Sequence, residues 1–144
     1  MKKLGLTVLL AGLFFGCSSK QPAVVEQSNL PTELSAVYFD FDKYSIRHDQ
    51  TGKIVDNTVY LNNGYRQGTY VIIEGNCDEW GTDEYNYALG LKRAKATKDA
   101  LVAQGVSETR ISINSNGESK PVCTEHTKEC WSKNRRAEIS ILQH

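Results

Sequence analysis

The sequence carries no surplus of charge of either sign. Its 17 lysines and arginines balance 17 aspartates and glutamates over 144 residues. Proteins that bind nucleic acid usually show a basic surplus or a basic stripe, so the composition argues against that class. The chain also lacks internal repeats and low-complexity tracts, and its length suits one ordinary domain.

Histidine is scarce, and this weighs against an enzyme. The chain has His48, His126 and His144, and none of them stands in a recognisable catalytic context. An exported thiol enzyme with Cys77 as nucleophile and His126 or His48 as base is the alternative that this scarcity disfavours.

The first residues contain no hydrophobic run of membrane-spanning length. The apolar run from Leu4 to Phe15 falls short of the roughly 20 residues that cross a bilayer. Two lysines precede it, a pattern typical of a secretory signal, which we predict over residues 1–16. Cys17 and the serines after it look like the lipidation site of a bacterial lipoprotein. We therefore expect export, a lipid on Cys17, a flexible tether over residues 17–34 and a folded domain over residues 35–144.

Export implies an oxidising compartment for the three remaining cysteines. Cys123 and Cys130 flank the polar stretch "TEHTKE", and a disulfide between them would rigidify this loop and leave Cys77 as a free thiol. The alternative is a metal site of the Cys3His type, formed by these three cysteines and His126. Its spacing lacks the usual Cys-x2-Cys knuckle, so we predict no bound metal.

Periodicity predicts the secondary structure. Strands are expected at residues 36–42, 69–75, 110–115 and 135–142, and helices from about Asp49 to Asn63 and from Thr82 or Asp83 to Gln104. The long loop over residues 117–133 has room for one short helical turn. The order βαβαββ favours parallel pairing of the first strands and an antiparallel last strand. The predicted fold is an α/β (α+β) two-layer sandwich, with a small mixed four-stranded sheet and two long helices on one face.

The same patterns predict which residues face the core. In the first strand, Val37, Phe39 and Phe41 share one face. In the first helix, the expected buried face combines Ile54, Thr58 and Leu61 with Val55, Val59 and Asn62, and Gly64 is the expected stop. In the last strand, Ala137, Ile139 and Ile141 face inward together with Arg135.

A pair of opposite charges is the strongest functional signal in the residues themselves. Arg93 lies on the margin of the buried face of the second helix, where a guanidinium needs acceptors. Asp78, in the turn before this helix, is the nearest candidate acid. The pair is either a structural ion pair or a pocket for a zwitterion, in which Asp78 takes an ammonium and Arg93 grips a carboxylate.

Three long segments resemble the OmpA-like peptidoglycan-binding domain family. They are "VYFDFDKYSI", "EGNCDEWGTDEYNYALGLKRA" and "SKNRRAEISI", and the resemblance covers residues 36–142. The family binds the diaminopimelate side chain of the peptidoglycan stem peptide without covalent chemistry. The resemblance implies that Asp78 binds the ammonium and Arg93 the carboxylate. Further implied binding residues are Asn86, Arg135, Phe41 and Asp42.

The resemblance also carries expectations about the cell. Lipid-anchored members of this family tether the outer membrane to the wall from its periplasmic side. It thus implies no enzyme activity and no cofactor, a location at the outer membrane, and TolB and other Tol proteins as partners. The chain departs from the family at Asn76, where a histidine is usual, and at Cys77, where a small residue is usual.

Overall fold

The structure, a computed structural model, describes residues 30–142, without the side chain of Tyr65. The predicted signal, Cys17 and most of the predicted tether lie outside this range. The strands in it are β1 (Val37–Tyr38), β2 (Val71–Asn76), β3 (Ile111–Gly117) and β4 (Arg136–Ile141). The α-helices are α1 (Thr51–Leu61), α2 (Asp83–Ala103) and α3 (Lys128–Asn134), and short 3₁₀ turns occur at His48–Gln50, Gly64–Gly68 and Glu108–Arg110.

The predicted mixed sheet is confirmed, with strand order β1-β4-β2-β3. β2 and β3 pair in parallel, while β4 is antiparallel to both β2 and β1. The expectation that the first two strands pair directly is wrong. β4, the last strand in the sequence, lies between β1 and β2. Because β4 is antiparallel to both of them, β1 and β2 run in the same direction but do not pair with each other.

The two long helices cover one face of the sheet, as predicted. β2 buries Val71, Ile73 and Gly75 on that face and leaves Ile72 and Glu74 partly exposed on the other. This alternation gives a two-layer domain with a single apolar core between the layers. No helix in residues 30–142 combines the length and the apolar character that crossing a membrane requires.

The buried face of α1 differs from the prediction by one row. Ile54, Thr58 and Leu61 are buried as expected, but Val55 and Val59 face the solvent. Asn57 takes the buried place instead. Its side-chain amide accepts a hydrogen bond from the backbone N–H of residue 35 at 2.8 Å and donates one to the carbonyl of residue 35 at 2.9 Å. A polar side chain satisfied in this way can be buried at little cost.

The ends of the helices also test the prediction. α2 begins as expected, with Thr82 as N-cap accepting a hydrogen bond from the backbone N–H of Tyr85, and Gly105 follows it with φ of 112°. α1 ends earlier than expected, at Leu61. Gly64 opens the next 3₁₀ turn at φ of 56° instead of capping the helix.

A backbone contact between two glycines sets how closely α2 approaches the sheet. A Cβ atom on Gly75 of β2 would lie 1.6 Å from the carbonyl oxygen of Gly90 in α2. A Cβ atom on Gly90 would lie 2.2 Å from Oγ of Ser115 in β3. α2 therefore packs directly on the backbone of β2 and against the side chain of Ser115 in β3, and this close approach leaves no room for a side chain at either glycine.

Gly75→Ala is expected to lower the free energy of unfolding by about 1–3 kcal/mol or more, because the added methyl group must push α2 away from the sheet. Thermal or denaturant unfolding measures the loss. Gly52→Ala is the matched control. Nothing lies within 4 Å of its Cβ position, so this helical glycine should gain about 0.4–1 kcal/mol. Equal stability of Gly75→Ala and wild type would contradict the close approach.

Candidate functional site

A turn, a loop and the start of a helix meet at one end of the sheet and enclose a small cleft, which we call the charged cleft. Its volume is about 210 Å³. It lies between the turn after β1, the loop after β2 and the first turns of α2. Its walls are formed by Phe41, Asp42, Asp78, Trp80, Gly81, Tyr85 and Leu89.

Asp78 supplies the buried carboxylate of the charged cleft. It lies two residues after the end of β2 and is only 5% exposed. Its Oδ1 accepts a hydrogen bond from the backbone N–H of Trp80 at 3.2 Å, and its Oδ2 lies 3.4 Å from Nη1 of Arg135. Asp78 therefore has an ion-pair partner, and this partner is Arg135 from the end of α3, not Arg93.

Arg93 is more deeply buried than its helical row suggests. It was expected on the margin of the buried face, but it is 1% exposed, because the turn after β1 closes over it. Its N–H groups donate to the carbonyl oxygens of Lys43 (2.8 Å), Asn76 (2.9 Å) and Asp40 (3.2 Å). Burial lowers the pKa of its guanidinium. These bonds use three of the five N–H groups of an arginine, which leaves two for another acceptor.

The charged side chains that act on Arg93 include the other predicted site residues. Asp78 and Asp42 favour its charged form, and Arg135 opposes it. Two carboxylates and two guanidinium groups thus share this end of the sheet, and their formal charges cancel. A neutral site with separate positive and negative groups can bind a ligand that carries one charge of each sign.

Phe41 and Asp42, two of the implied binding residues, lie in the turn after β1, but Phe41 does not face the core as its strand pattern predicted. It is 61% exposed, because β1 ends at Tyr38 and the chain turns sharply at Asp42, whose φ is 57°. The hydroxyl of Tyr85 donates a hydrogen bond to Oδ1 of Asp42. This bond raises the pKa of Tyr85 and holds the turn against α2.

Asn86 stands apart from the charged cleft. Its side chain is buried and donates to Oε2 of Glu118 at 2.7 Å, on the side of α2 that faces β3. It does not line the cleft, although its Oδ1 lies 3.2 Å from the Cβ position of Gly81, which does.

Of the predicted site residues, the structure therefore brings Asp78, Arg135, Phe41 and Asp42 together, with Arg93 beneath them. The ligand-binding role of Asn86 stays a prediction.

The cysteines give the alternatives little support. Cys123 and Cys130 form the predicted disulfide, so the thiolates that a Cys3His metal site would need are used up. Cys77 is a buried free thiol that donates to the carbonyl oxygen of Asn86 at 3.2 Å. Burial raises its pKa to about 11, so at neutral pH it is the protonated thiol, a poor nucleophile.

Sequence reasoning missed an aromatic surface beside the charged cleft, which we call the aromatic groove. Its volume is about 370 Å³, and its walls are formed by Phe41, Trp80, Lys128, Trp131 and Arg135. The rings of Trp80 and Trp131 meet edge to face with centroids 5.3 Å apart. The only signal in the sequence was two tryptophans in polar segments 51 positions apart, which gives no hint of contact.

Glu79 fastens the disulfide-closed loop to this surface. Its Oε1 lies 2.8 Å from Nδ1 of His126 and accepts a hydrogen bond of 2.8 Å from the indole N–H of Trp131. The contact with Glu79 raises the pKa of His126, and the contact with His126, more than that with Trp131, lowers the pKa of Glu79. The charged form of each side chain therefore favours the docked loop.

Comparison with known proteins places these features in context. A profile of the OmpA family matches residues 38–135. A peptidoglycan-associated lipoprotein of Pasteurella multocida (strain Pm70) is 39% identical over 97% of the chain and 99% of that protein. One from Agrobacterium fabrum (strain C58 / ATCC 33970) is 44% identical over 74% of the chain and 58% of that protein.

Solved structures agree with the fold. The crystal structure of the peptidoglycan-associated lipoprotein from Burkholderia pseudomallei is 39% identical, with a TM-score of 0.69 over 74% of this chain and 89% of that chain. The C-terminal domain of MotB from Helicobacter pylori has a TM-score of 0.70 at 20% identity, over 78% of this chain and 87% of that chain. The second likeness bears on the fold alone.

Arg93→Ala is expected to lower the free energy of unfolding by about 3–5 kcal/mol, because it leaves a cavity and removes the guanidinium donors from the carbonyl groups of Lys43, Asn76 and Asp40. Chemical denaturation measures the loss. Lys95→Ala, on the exposed face of the same helix, removes one solvent-screened i,i+4 ion pair with Asp99 and should leave the free energy of unfolding nearly unchanged. A similar small loss for Arg93→Ala would show that the guanidinium does not hold the turn.

The contact between His126 and Glu79 should depend on pH in a defined direction. The raised pKa of His126 means that the contact stabilises the docked loop fully below about pH 6.5 and is lost as pH rises through the raised value. The lowered pKa of Glu79 means that it is lost again as pH falls through that lowered value.

Glu79→Gln should therefore return the pKa of His126 toward about 6.5, as measured by NMR titration of the imidazole ring. Glu125→Gln is the control, because this carboxylate is adjacent in sequence but has no hydrogen bond to His126 among the contacts of residues 30–142. An imidazole that titrates identically in wild type and Glu79→Gln would exclude the contact in solution.

Proposed function

Because the chain belongs to the OmpA family, we propose that it binds peptidoglycan without catalysing a reaction, as a lipoprotein of the cell envelope. The shared name of its relatives, peptidoglycan-associated lipoprotein, supports the wall as the target. The observation that carries the proposal is the charged cleft, in which the buried carboxylate of Asp78 faces a ligand-sized space and contacts the guanidinium of Arg135.

The ligand that fits this cleft is the free end of diaminopimelate in the stem peptide. One carbon there carries both an ammonium and a carboxylate, so its charges cancel as those of the site do. Asp78 and Asp42 are the acceptors for the ammonium. Arg135 is the donor for the carboxylate. Arg93, which is 1% exposed beneath the turn after β1, supports the carboxylate through its positive charge and by holding that turn in place. Such a clamp binds by position and charge and requires no chemical step.

The wider role follows from the predicted lipid anchor. A lipid on Cys17 would hold the protein in the outer membrane, and the tether would let the domain reach the wall from the periplasmic side. The protein would then link the outer membrane to peptidoglycan and take part in envelope integrity and cell division with TolB and other Tol proteins. The names of the relatives support the lipoprotein part of this proposal.

Asp78→Asn tests the clamp. The substitution keeps the shape and an acceptor for the N–H of Trp80, but it removes the charge that pairs with the ammonium. Binding of a muropeptide that contains diaminopimelate should weaken by about 2–5 kcal/mol, measured by calorimetric titration. A muropeptide with lysine in place of diaminopimelate should bind poorly to the wild-type protein, because lysine lacks the second carboxylate.

Asp56→Asn, an exposed carboxylate on α1, is the matched control and should bind like the wild type. Circular dichroism and thermal unfolding of Asp78→Asn establish that the fold is retained. Wild-type affinity in a folded Asp78→Asn variant would contradict the clamp.

A further inference from the structure

The aromatic groove is continuous with the charged cleft. Phe41 and Trp80 line both. Arg135 lines the groove while its Nη1 contacts Asp78 of the cleft. A ligand whose charged tip lies against Asp78 would therefore extend directly into the groove.

The groove is an exposed apolar surface held in a fixed shape. Phe41 and Trp80 are 61% and 52% exposed, respectively, whereas large aromatic side chains are usually mostly buried. Trp131 is oriented by its hydrogen bond to Glu79 and by its edge-to-face contact with Trp80. Exposed aromatic side chains that are already ordered are typical of binding surfaces, because they bury a large area with little loss of entropy.

The polar groups of the groove are both cationic. No acidic residue lines it, and no carboxylate of residues 30–142 lies within ion-pair distance of Lys128. Arg135 uses two N–H groups, one on Phe39 and one on Asp78, which leaves three of its five. An apolar floor with two cationic groups fits a ligand that carries a carboxylate.

We propose that the aromatic groove is a second subsite, which binds the D-glutamate next to diaminopimelate in the stem peptide. This proposal rests on the proposed function of the charged cleft. D-Glutamate is joined to diaminopimelate through its γ-carboxyl group, so its α-carboxylate remains free one residue away from the clamped tip. Lys128 pairs with this carboxylate, because Arg135 is already the donor for the carboxylate of diaminopimelate, and the aromatic rings cover the adjoining aliphatic chain. The sugars of the wall do not match the cations, because their lactyl carboxyl group is consumed in the bond to the peptide.

The test compares three ligands on the full-length protein in detergent, by calorimetric titration. They are free meso-diaminopimelate, the tripeptide L-Ala-γ-D-Glu-meso-diaminopimelate, and the same tripeptide with the D-glutamate α-carboxylate amidated. The wild type should bind the acidic tripeptide roughly tenfold more tightly than the amidated one, as for one charge-assisted contact. The two tryptophans of the chain, Trp80 and Trp131, both lie in the groove, so their fluorescence reports its occupation directly.

Lys128→Gln should lower the affinity for the acidic tripeptide by the same factor. It should leave the amidated tripeptide and free diaminopimelate unaffected, so that substitution and amidation are not additive. Lys133→Gln, an exposed lysine on the same helix outside the groove, is the matched control and should bind all three ligands as the wild type does.

Each other outcome overturns a specific statement. If the wild type binds both tripeptides equally, or if Lys128→Gln weakens all three ligands alike, the groove does not bind D-glutamate. If affinity and tryptophan fluorescence change only when the disaccharide is added to the tripeptide, the groove binds sugar instead. If the wild type binds none of the three ligands, the proposed function itself is wrong, and the subsite falls with it.

Discussion

The buried guanidinium of Arg93 is the interaction on which the rest of the site depends. It joins two carbonyl groups of the turn after β1 to the carbonyl of Asn76 at the end of β2, all from one side chain of α2. Asp40 and Lys43 lie beyond the end of β1, and Asn76 is the last residue of β2, so Arg93 acts where the regular strand pairing stops. Arginine suits this task since its donors form a rigid fork that stays charged when buried. Phe41 and Asp42 lie inside the turn that Arg93 holds.

A second arginine, Arg110, has the same structural role at the other end of the sheet, but its electrostatic surroundings differ. Arg110 donates to the carbonyls of Leu61, Arg66 and Thr69 and to Oδ1 of Asn62. Burial alone lowers its pKa, and no carboxylate of residues 30–142 contributes. Arg93 differs because acidic groups surround it. The two arginines show two separate roles of a buried guanidinium. Both stabilise the fold by donating hydrogen bonds to backbone carbonyl groups, and Arg93, with carboxylates nearby, also belongs to a charged site.

Much of the fold could be predicted from local patterns. β2, β3, β4 and the two long helices follow from alternation and helical period, which act over a few residues. The first strand was predicted over residues 36–42 but spans only Val37–Tyr38, because the chain turns at Asp42. The disulfide between Cys123 and Cys130 was predictable because its partners are close in sequence. The buried row of α1 was wrong at Val55 because Asn57 finds partners on a segment 22 residues away, and no local pattern records such a pairing.

The sequence by itself determined the elements, the single domain and the presence of Asp78 and Arg93 at one end of the sheet, because hydrophobic periodicity and turn residues are written locally. Only the tertiary structure decided how the charges are shared. It placed Arg135 against Asp78, directed Arg93 to backbone carbonyls and set Trp131 beside Trp80. These contacts join residues many positions apart, and burial and packing select them from several acceptors of similar chemistry.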